Sequence, residues 1–457
     1  MTTTKQTEYR EAGAFFQQEL SLDDTYFVSA GIRNDFSSSL TQTIAPNVWY
    51  PRASFAVRLD KLLPISDGRI SFLKLRGGYG ESGILPRADE ANTLVWRTRT
   101  TPYGLAFNIP DVNTVGNPRL EPERVREVEL GIETEIADVV GAEVTAYYQY
   151  ADKSLIRVPL PPSDPLSSAI RVDLSPNRMR NLGSLAGWGV ETLLKASPLR
   201  SEEARLDLAL TWHYTDTRVL SLPGNAITGF LNYEYFVVGL PRSVFYEPKV
   251  LGAQFAADGT YSGAVLDTVP SLIGRGLPVH TGSFSASLRI FRTITLSAVA
   301  DWALGHSFLN LTTPSLESLN NTTIWRLATQ LGLEKSANIP AMPNVARLSV
   351  GSPEYKAAAN AYAMATESIQ GSLTSGNFLR FRELSLHYDA TEMMRSLFGF
   401  VRFFALTLSA RNLALLTSPL VMDSELSTDG ATQVLRYTTE NTTPHARVFN
   451  ATISLTF

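Results

Sequence analysis

The chain contains no cysteine. That excludes disulfides, zinc ribbons and thiol nucleophiles together. No stretch approaches the roughly 18 continuous apolar residues that a membrane-spanning helix requires. The longest apolar run, Phe398 to Leu408, is interrupted by Arg402. There is no basic surplus either: Lys and Arg number 40 against 44 Asp and Glu, a formal net charge of −4. The electrostatic footprint expected of a nucleic-acid binder is therefore missing. The opening residues, MTTTKQTEYREAG, carry no apolar h-region of a signal peptide. Catalytic signatures are lacking as well, with no GxSxG, no Walker loop and no dinucleotide GxGxxG between a strand and a helix. The 5 histidines, His213, His280, His306, His387 and His445, are scattered and have no ligand spacing. The expectation is a chain without catalytic residues, cofactor or metal, and not an enzyme.

What the sequence does have is alternation. Phe449, Ala451, Ile453, Leu455 and Phe457 lie on one side of the last segment, and Asn450, Thr452, Ser454 and Thr456 on the other. Successive side chains of a strand point to opposite faces, so this segment has one apolar and one polar face. Val128, Leu130, Ile132 and Ile136 oppose Glu127, Glu129, Glu133 and Glu135 in the same way. Leu206, Leu208, Leu210, Trp212 and Tyr214 oppose Arg205, Asp207, Thr211 and His213, and Ile294, Leu296, Ala298, Ala300 and Trp302 oppose Thr295, Ser297 and Asp301.

About thirteen such segments are present, most near the ~10 residues that a tilted membrane strand needs. Their spans are 9–21, 24–36, 48–60, 70–81, 124–136, 141–153, 183–196, 204–217, 280–291, 294–306, 377–389, 400–413 and 445–457. Short turns near 22–23, 61–69, 137–140, 197–203, 292–293 and 390–399 alternate with long loops near 82–123, 154–182, 218–279, 307–376 and 414–444. A shorter loop falls near 37–47. Short turns at one rim and long loops at the other are the pattern of outer-membrane barrels. A soluble sandwich also alternates, but its strands average about five or six residues and its loops are rarely so long. With strand direction fixed by loop length, Tyr79, Tyr148, Tyr150, Trp212, Tyr214 and Trp302 fall near the long-loop rim. Tyr26, Tyr388, Phe404 and Phe457 fall near the other. Two aromatic girdles are what a bilayer-spanning wall requires. The fold expected is all-β, an antiparallel transmembrane β-barrel wall.

Several segments resemble the TonB-dependent outer-membrane receptors, and within them the SusC/RagA type. Leu73-Lys74-Leu75-Arg76-Gly77-Gly78-Tyr79-Gly80-Glu81-Ser82-Gly83 is similar to that family's LKLRxSYGxTGN strand end. Asn117-Pro118-Arg119-Leu120-Glu121-Pro122-Glu123, leading into Glu127-Val128-Glu129-Leu130-Gly131, resembles its NPxLxxE stretch. Asn181-Leu182-Gly183-Ser184 with Gly187-Trp188-Gly189-Val190-Glu191 resembles NxGSMxNxGVE, and Phe378–Tyr388 and Ala410-Arg411-Asn412-Leu413 resemble its late strands. The resemblance covers most of residues 8–457. It implies an outer-membrane receptor that imports an oligosaccharide or peptide, powered by the TonB complex through a plug domain, with a SusD-like surface lipoprotein as a possible partner. It also implies that Phe449, Ile453, Leu455 and Phe457 form the C-terminal barrel-assembly signal. Signal peptide, TonB box and plug are not among these residues. Residues 1–457 are accordingly expected to be the C-terminal part of one barrel domain, strands ten to twenty-two of a 22-stranded wall, from a truncated gene model or a fragment. A passive porin-like barrel and a soluble β-sheet binding protein are the alternatives.

The long loops carry aromatic residues suited to stacking on a sugar ring or packing on a peptide: Trp96, Tyr103, Tyr233, Tyr235, Tyr246, Trp325 and Tyr355. These are the expected ligand contacts. Residues 352–373 read as a short helix, with Ser352 as cap and Pro353 at its first position. Removing the tip of loop 307–376 is expected to spare the strands. The four glutamates of segment 124–136 look like a cation site but are better read as a polar wall paired with arginines.

Overall fold

The computed structural model describes residues 3–4, 10–38, 47–63, 69–86, 88–91, 96–100, 106–110, 114–117, 119–159, 177–181, 183–222, 226–228, 234–310, 322–333, 342–417, 423, 425, 438–439 and 445–457. Thirteen long strands dominate it. They are β1 Glu11–Leu22, β2 Tyr26–Ser37, β3 Asn47–Arg58, β4 Ile70–Ile84, β5 Glu123–Ile136, β6 Val140–Asp152 and β7 Ser184–Arg200. The rest are β8 Ala204–Ser221, β9 His280–Ile290, β10 Ile294–Leu304, β11 Phe378–Asp389, β12 Phe403–Thr417 and β13 Val448–Thr456. Hydrogen-bonded neighbours follow chain order from β1 to β13, an up-and-down meander. Contacts divide the chain into two compact units. The first holds residues 1–194, 215–227 and 237–239, and the second holds 195–214, 228–236 and 240–457.

Register follows from the tight turns. Thr25 N donates to Leu22 O, Val139 N to Ile136 O and Thr293 N to Ile290 O. The two central residues of each turn, Asp23-Asp24, Ala137-Asp138 and Phe291-Arg292, all have positive φ. That is the mirror-image turn whose twist matches a right-handed strand pair. Aspartate tolerates it better than most residues because its short polar side chain bonds locally. Once such a turn is fixed, every pair up the hairpin is fixed. Glu133 then faces Glu143 and Leu130 faces Ala146, while on the β4 side Glu133 pairs with Lys74 and Leu130 with Gly77.

The apolar face of these strands is not covered. Leu130 is 54% exposed and Ile453 66%, and Leu20, Val28, Phe55, Val128, Leu296, Leu384 and Leu408 on other strands are exposed too. A sandwich would bury this face against a second sheet, and a water-soluble monomer rarely exposes a continuous apolar surface of such extent. Rows of outward Leu, Val, Ile and Phe over successive strands suit hydrocarbon. Near the long-loop rim the aromatics fall level with one another: Tyr79, Val128 and Tyr148 pair across three strands, and Trp212, Gly282 and Trp302 across three others. Gly282 is there for space, since a Cβ would lie 2.3 Å from the Trp302 ring and 2.4 Å from Thr211 O.

The thirteen strands match the expected spans, with ends shifted by a few residues. The connections differ more. The turn read at 390–399 holds a helix, Thr391–Leu397. The stretch read as loop 218–279 contains the last residues of β8 and further strands at Glu234–Val237, Val244–Glu247, Val250–Phe255, Tyr261–Leu266 and Ser271–Arg275. These strands pair with each other and not with the wall, so their short alternations were lost among turn residues.

The turn between β3 and β4 has a built-in acid sensitivity. Arg58 binds Asp60 through Nε at 2.9 Å and Nη2 at 2.7 Å, and Leu73 N donates to the same carboxylate at 3.1 Å. The hydrogen bond from Arg58 is the largest cause holding the Asp60 pKa down at about 2, below its ordinary 3.8. A carboxyl depressed by folding stabilises the folded form above its unfolded pKa and loses that contribution as pH falls through the folded value. The turn should therefore hold at pH 5 and loosen between pH 4 and 2, read as growing amide exchange at Leu73. Asp60→Asn should flatten that dependence.

Candidate functional site: a folded cap and two ion-pair fields

Within the second unit, two loops distant in sequence build one small core. The helix α2, Pro353–Thr366, starts where Ser352 accepts from Tyr355 N at 3.1 Å and Pro353 occupies the first turn. Its buried residues, Tyr355, Ala358, Ala359, Tyr362 and Ala363, recur at the helical spacing of one face. Three of them are alanine, so neighbours approach closely. Leu327, Ala328 and Leu331 of helix α1, Thr322–Leu331, pack there. So do Ala253, Phe255 and Tyr261 of the hairpin Val250–Phe255/Tyr261–Leu266. The Tyr261 and Tyr362 rings meet edge-on at 5.5 Å. Burial, with the Glu367 carboxylate second, pushes both phenol pKa values up.

Side-chain bonds to backbone join the two loops. Tyr355 OH accepts from Tyr261 N at 3.0 Å, Asn360 Oδ1 from Ala253 N at 2.7 Å and Gln370 Oε1 from Val250 N at 2.7 Å. Glu247 Oε1 accepts from Ile369 N at 2.8 Å and from Ser368 Oγ. The hairpin turns at Asp258-Gly259, where Gly259 has φ +82° and Asp258 accepts from Thr260. An Asp-Gly between alternating segments is a strong hairpin signal, and it was available in the sequence. So was the Ile324, Leu327, Ala328, Leu331 stripe of α1.

The aromatic residues expected to meet ligand divide accordingly. Tyr355, 1% exposed, is a core residue of the cap and presents no face to a ligand. Tyr235 and Tyr246 stand half-buried, their rings edge-on at 6.1 Å, and Trp325 is half-buried on α1. Trp96 lies in strand Trp96–Thr100, but its side chain is outside the described residues, as are Tyr103 and Tyr233. Phe449, Ile453, Leu455 and Phe457 are all exposed along the apolar face of the last strand.

The polar faces carry ion pairs. In the first unit, Glu133 binds Lys74 Nζ at 2.7 Å and Arg76 Nε at 2.9 Å, and Arg76 donates to Thr145 Oγ1 at 2.6 Å. Glu129 sits 3.7 Å from Arg76. Glu127 accepts from Gln149. Two of the four glutamates in this row, Glu129 and Glu133, thus meet basic residues of the adjacent strand. Above it Gly78 and Gly80 leave a depression of 430 Å³ bordered by Arg52, Ser54, Glu127 and Gln149. In the second unit, Arg382 holds Asp301 with two bonds of 2.7 Å, and the buried Arg380 binds Asp423 and, at 2.6 Å, Glu425. Burial raises the Asp423 pKa, but the Arg380 bond and others outweigh it, and the carboxyl stays below its ordinary range. Among the described residues no His, Asp or Glu group has the grouping of a metal site.

A family model described as TonB dependent receptor-like, beta-barrel matches residues 2–336. No curated protein sequence matches the chain. Among solved structures, the RagAB peptide importer in the closed-closed state is similar with a TM-score of 0.74 at 18% identity, over 99% of this chain and 48% of that one. The same importer in the open-open state gives 0.71 at 19% identity, over 98% and 47%. The chain spans about half the length of these structures.

Proposed function

Since the chain belongs to the TonB-dependent receptor β-barrel family, whose members lie in the bacterial outer membrane, we propose that it forms wall and outer cap of a nutrient importer. The cargo is a peptide or oligosaccharide bound at the long-loop rim. The fold shared with a peptide importer favours a peptide. Energy comes from the TonB complex acting on a plug that these residues do not supply. A SusD-like lipoprotein is the proposed lid. The polar face, laced with Arg–Glu and Arg–Asp pairs, lines the wet interior, while the apolar face meets lipid. In this reading the chain moves cargo and performs no catalysis.

The observation that carries the proposal is the pairing of an uncovered apolar face with a cap folded from the long loops. A structural sheet would need no such cap. The test is uptake of labelled peptides by cells making the full-length receptor. Uptake should vanish when TonB is disrupted and when the hairpin 250–266 is removed together with residues 322–370. Uptake that persists without TonB would overturn energised import and leave a passive pore.

A further inference from the structure

Two connections at the short-turn rim are longer than a tight turn, the β3–β4 link described above and the one between β11 and β12. The turns 23–25, 137–139 and 291–293 are three-residue links, whereas β11 and β12 are joined through helix α3, Thr391–Leu397, and an aromatic tail. This segment is ordered by its own contacts. Phe404 N donates to Thr391 Oγ1 at 3.0 Å, Ala390 N to Phe404 O at 3.0 Å and Val401 N to Phe398 O at 3.0 Å, and Ala390, Val401 and Ala405 are buried. With that small core filled, its large apolar side chains point out. Leu397 and Phe398 are exposed, and Phe400 is 64% exposed. Phe400 stacks at 5.9 Å on Phe457, which is 65% exposed and ends the apolar face of the last strand.

Such a surface in a link that could be three polar residues asks for a partner. The apolar side of the link continues, through the Phe400–Phe457 stack, the face that meets hydrocarbon. It therefore sits where acyl chains give way to headgroups, the level that aromatic side chains favour. Two cations stand beside it. Arg395 donates to Arg402 O at 2.8 Å, and neither guanidinium has a carboxylate partner among the described residues. Resting on the membrane reading above, we propose that this link is a lipid-headgroup anchor: Leu397, Phe398, Phe400 and Phe457 enter the interface while Arg395 and Arg402 bind the phosphates of anionic phospholipid. An amphipathic segment with bulky apolar residues on one side and arginines on the other binds a bilayer surface by those two contributions together.

These 457 residues contain no cysteine, so with any cysteine elsewhere in the full-length receptor replaced by serine, one introduced thiol gives one label. The full-length receptor carrying Phe400→Cys with a fluorophore is reconstituted into phosphatidylcholine vesicles containing phosphatidylglycerol. A second sample carries the label at Leu408→Cys, on the apolar face of β12. Nitroxide phosphatidylglycerol should quench the position-400 label more than nitroxide phosphatidylcholine at equal mole fraction. That excess should fall about fivefold for each arginine removed in Arg395→Gln and Arg402→Gln. Quenching by aqueous iodide alone would place the link in water and overturn the proposal. Protection from lipid and iodide alike would mean that a protein covers it, which also overturns it. Equal quenching by both lipids would overturn the recognition of anionic phospholipid. Failure of lipid quenching at position 408 would instead sink the membrane reading itself.

Discussion

Leu208→Arg should destabilise the lipid-inserted chain by about 2–4 kcal/mol, and Ser297→Arg by well under 1 kcal/mol. Leu208 pairs with Ala286, and Ala286 with Ala298, so it sits below the Trp212 and Trp302 belt and inside the apolar band. A guanidinium there must stay in hydrocarbon or drag water with it. Ser297 lies on the opposite, polar face of β10, where its hydroxyl makes a weak 3.4 Å bond to Ser287. Thr211 shares that polar side by alternation but is a poor control. Its hydroxyl bonds Ser283 Oγ at 2.8 Å and accepts from Ser283 N at 2.9 Å, so replacing it removes two contacts. Equilibrium urea unfolding from vesicles measures the difference. Equal losses at Leu208 and Ser297 would mean that protein covers both faces and that no lipid-facing wall exists.

Tyr355→Ala should cost the cap about 3–5 kcal/mol, the usual price of truncating a buried aromatic ring. The ring packs near Phe255, and its hydroxyl holds Tyr261 N. The effect should cross between loops: amide exchange should rise in 250–266 as well as in 353–366, while β11 keeps its protection. Tyr355→Phe keeps the ring and loses one hydrogen bond, so about 1 kcal/mol is expected. Unchanged exchange in the hairpin after Tyr355→Ala would show that the two loops do not share a core. This coupling adds to the expectation that removing the tip of loop 307–376 spares the strands. Its removal strips Phe255, Tyr261 and Ala253 of their packing partners, so a clean deletion takes the hairpin and helices together.

The wall was legible in the sequence for a physical reason. In a meander each strand pairs with its chain neighbours, so the information that places Leu130 outward and Glu133 inward lies within a few dozen residues. The period of two states the face, the tight turns at Asp23-Asp24 and Ala137-Asp138 state the register, and Lys74 and Arg76 on the strand beside Glu133 state the cross-links. Even the level row of aromatics near the long-loop rim followed, because loop length fixes strand direction. The link after β11 was only half legible. Its exposed phenylalanines are plain in the sequence, but that Ala390, Val401 and Ala405 fill its core and turn those rings outward is a tertiary fact. The cap was least legible. Its core joins Phe255 and Tyr261 to Tyr355 and Tyr362, about a hundred residues away along the chain, and nothing local ties them. A tyrosine in a loop reads the same whether its ring meets ligand or packs under a hairpin. Local alternation therefore determined the wall and its two faces, and only long-range packing decided that Tyr355 is core while Trp325 and Tyr235 keep part of a ring free.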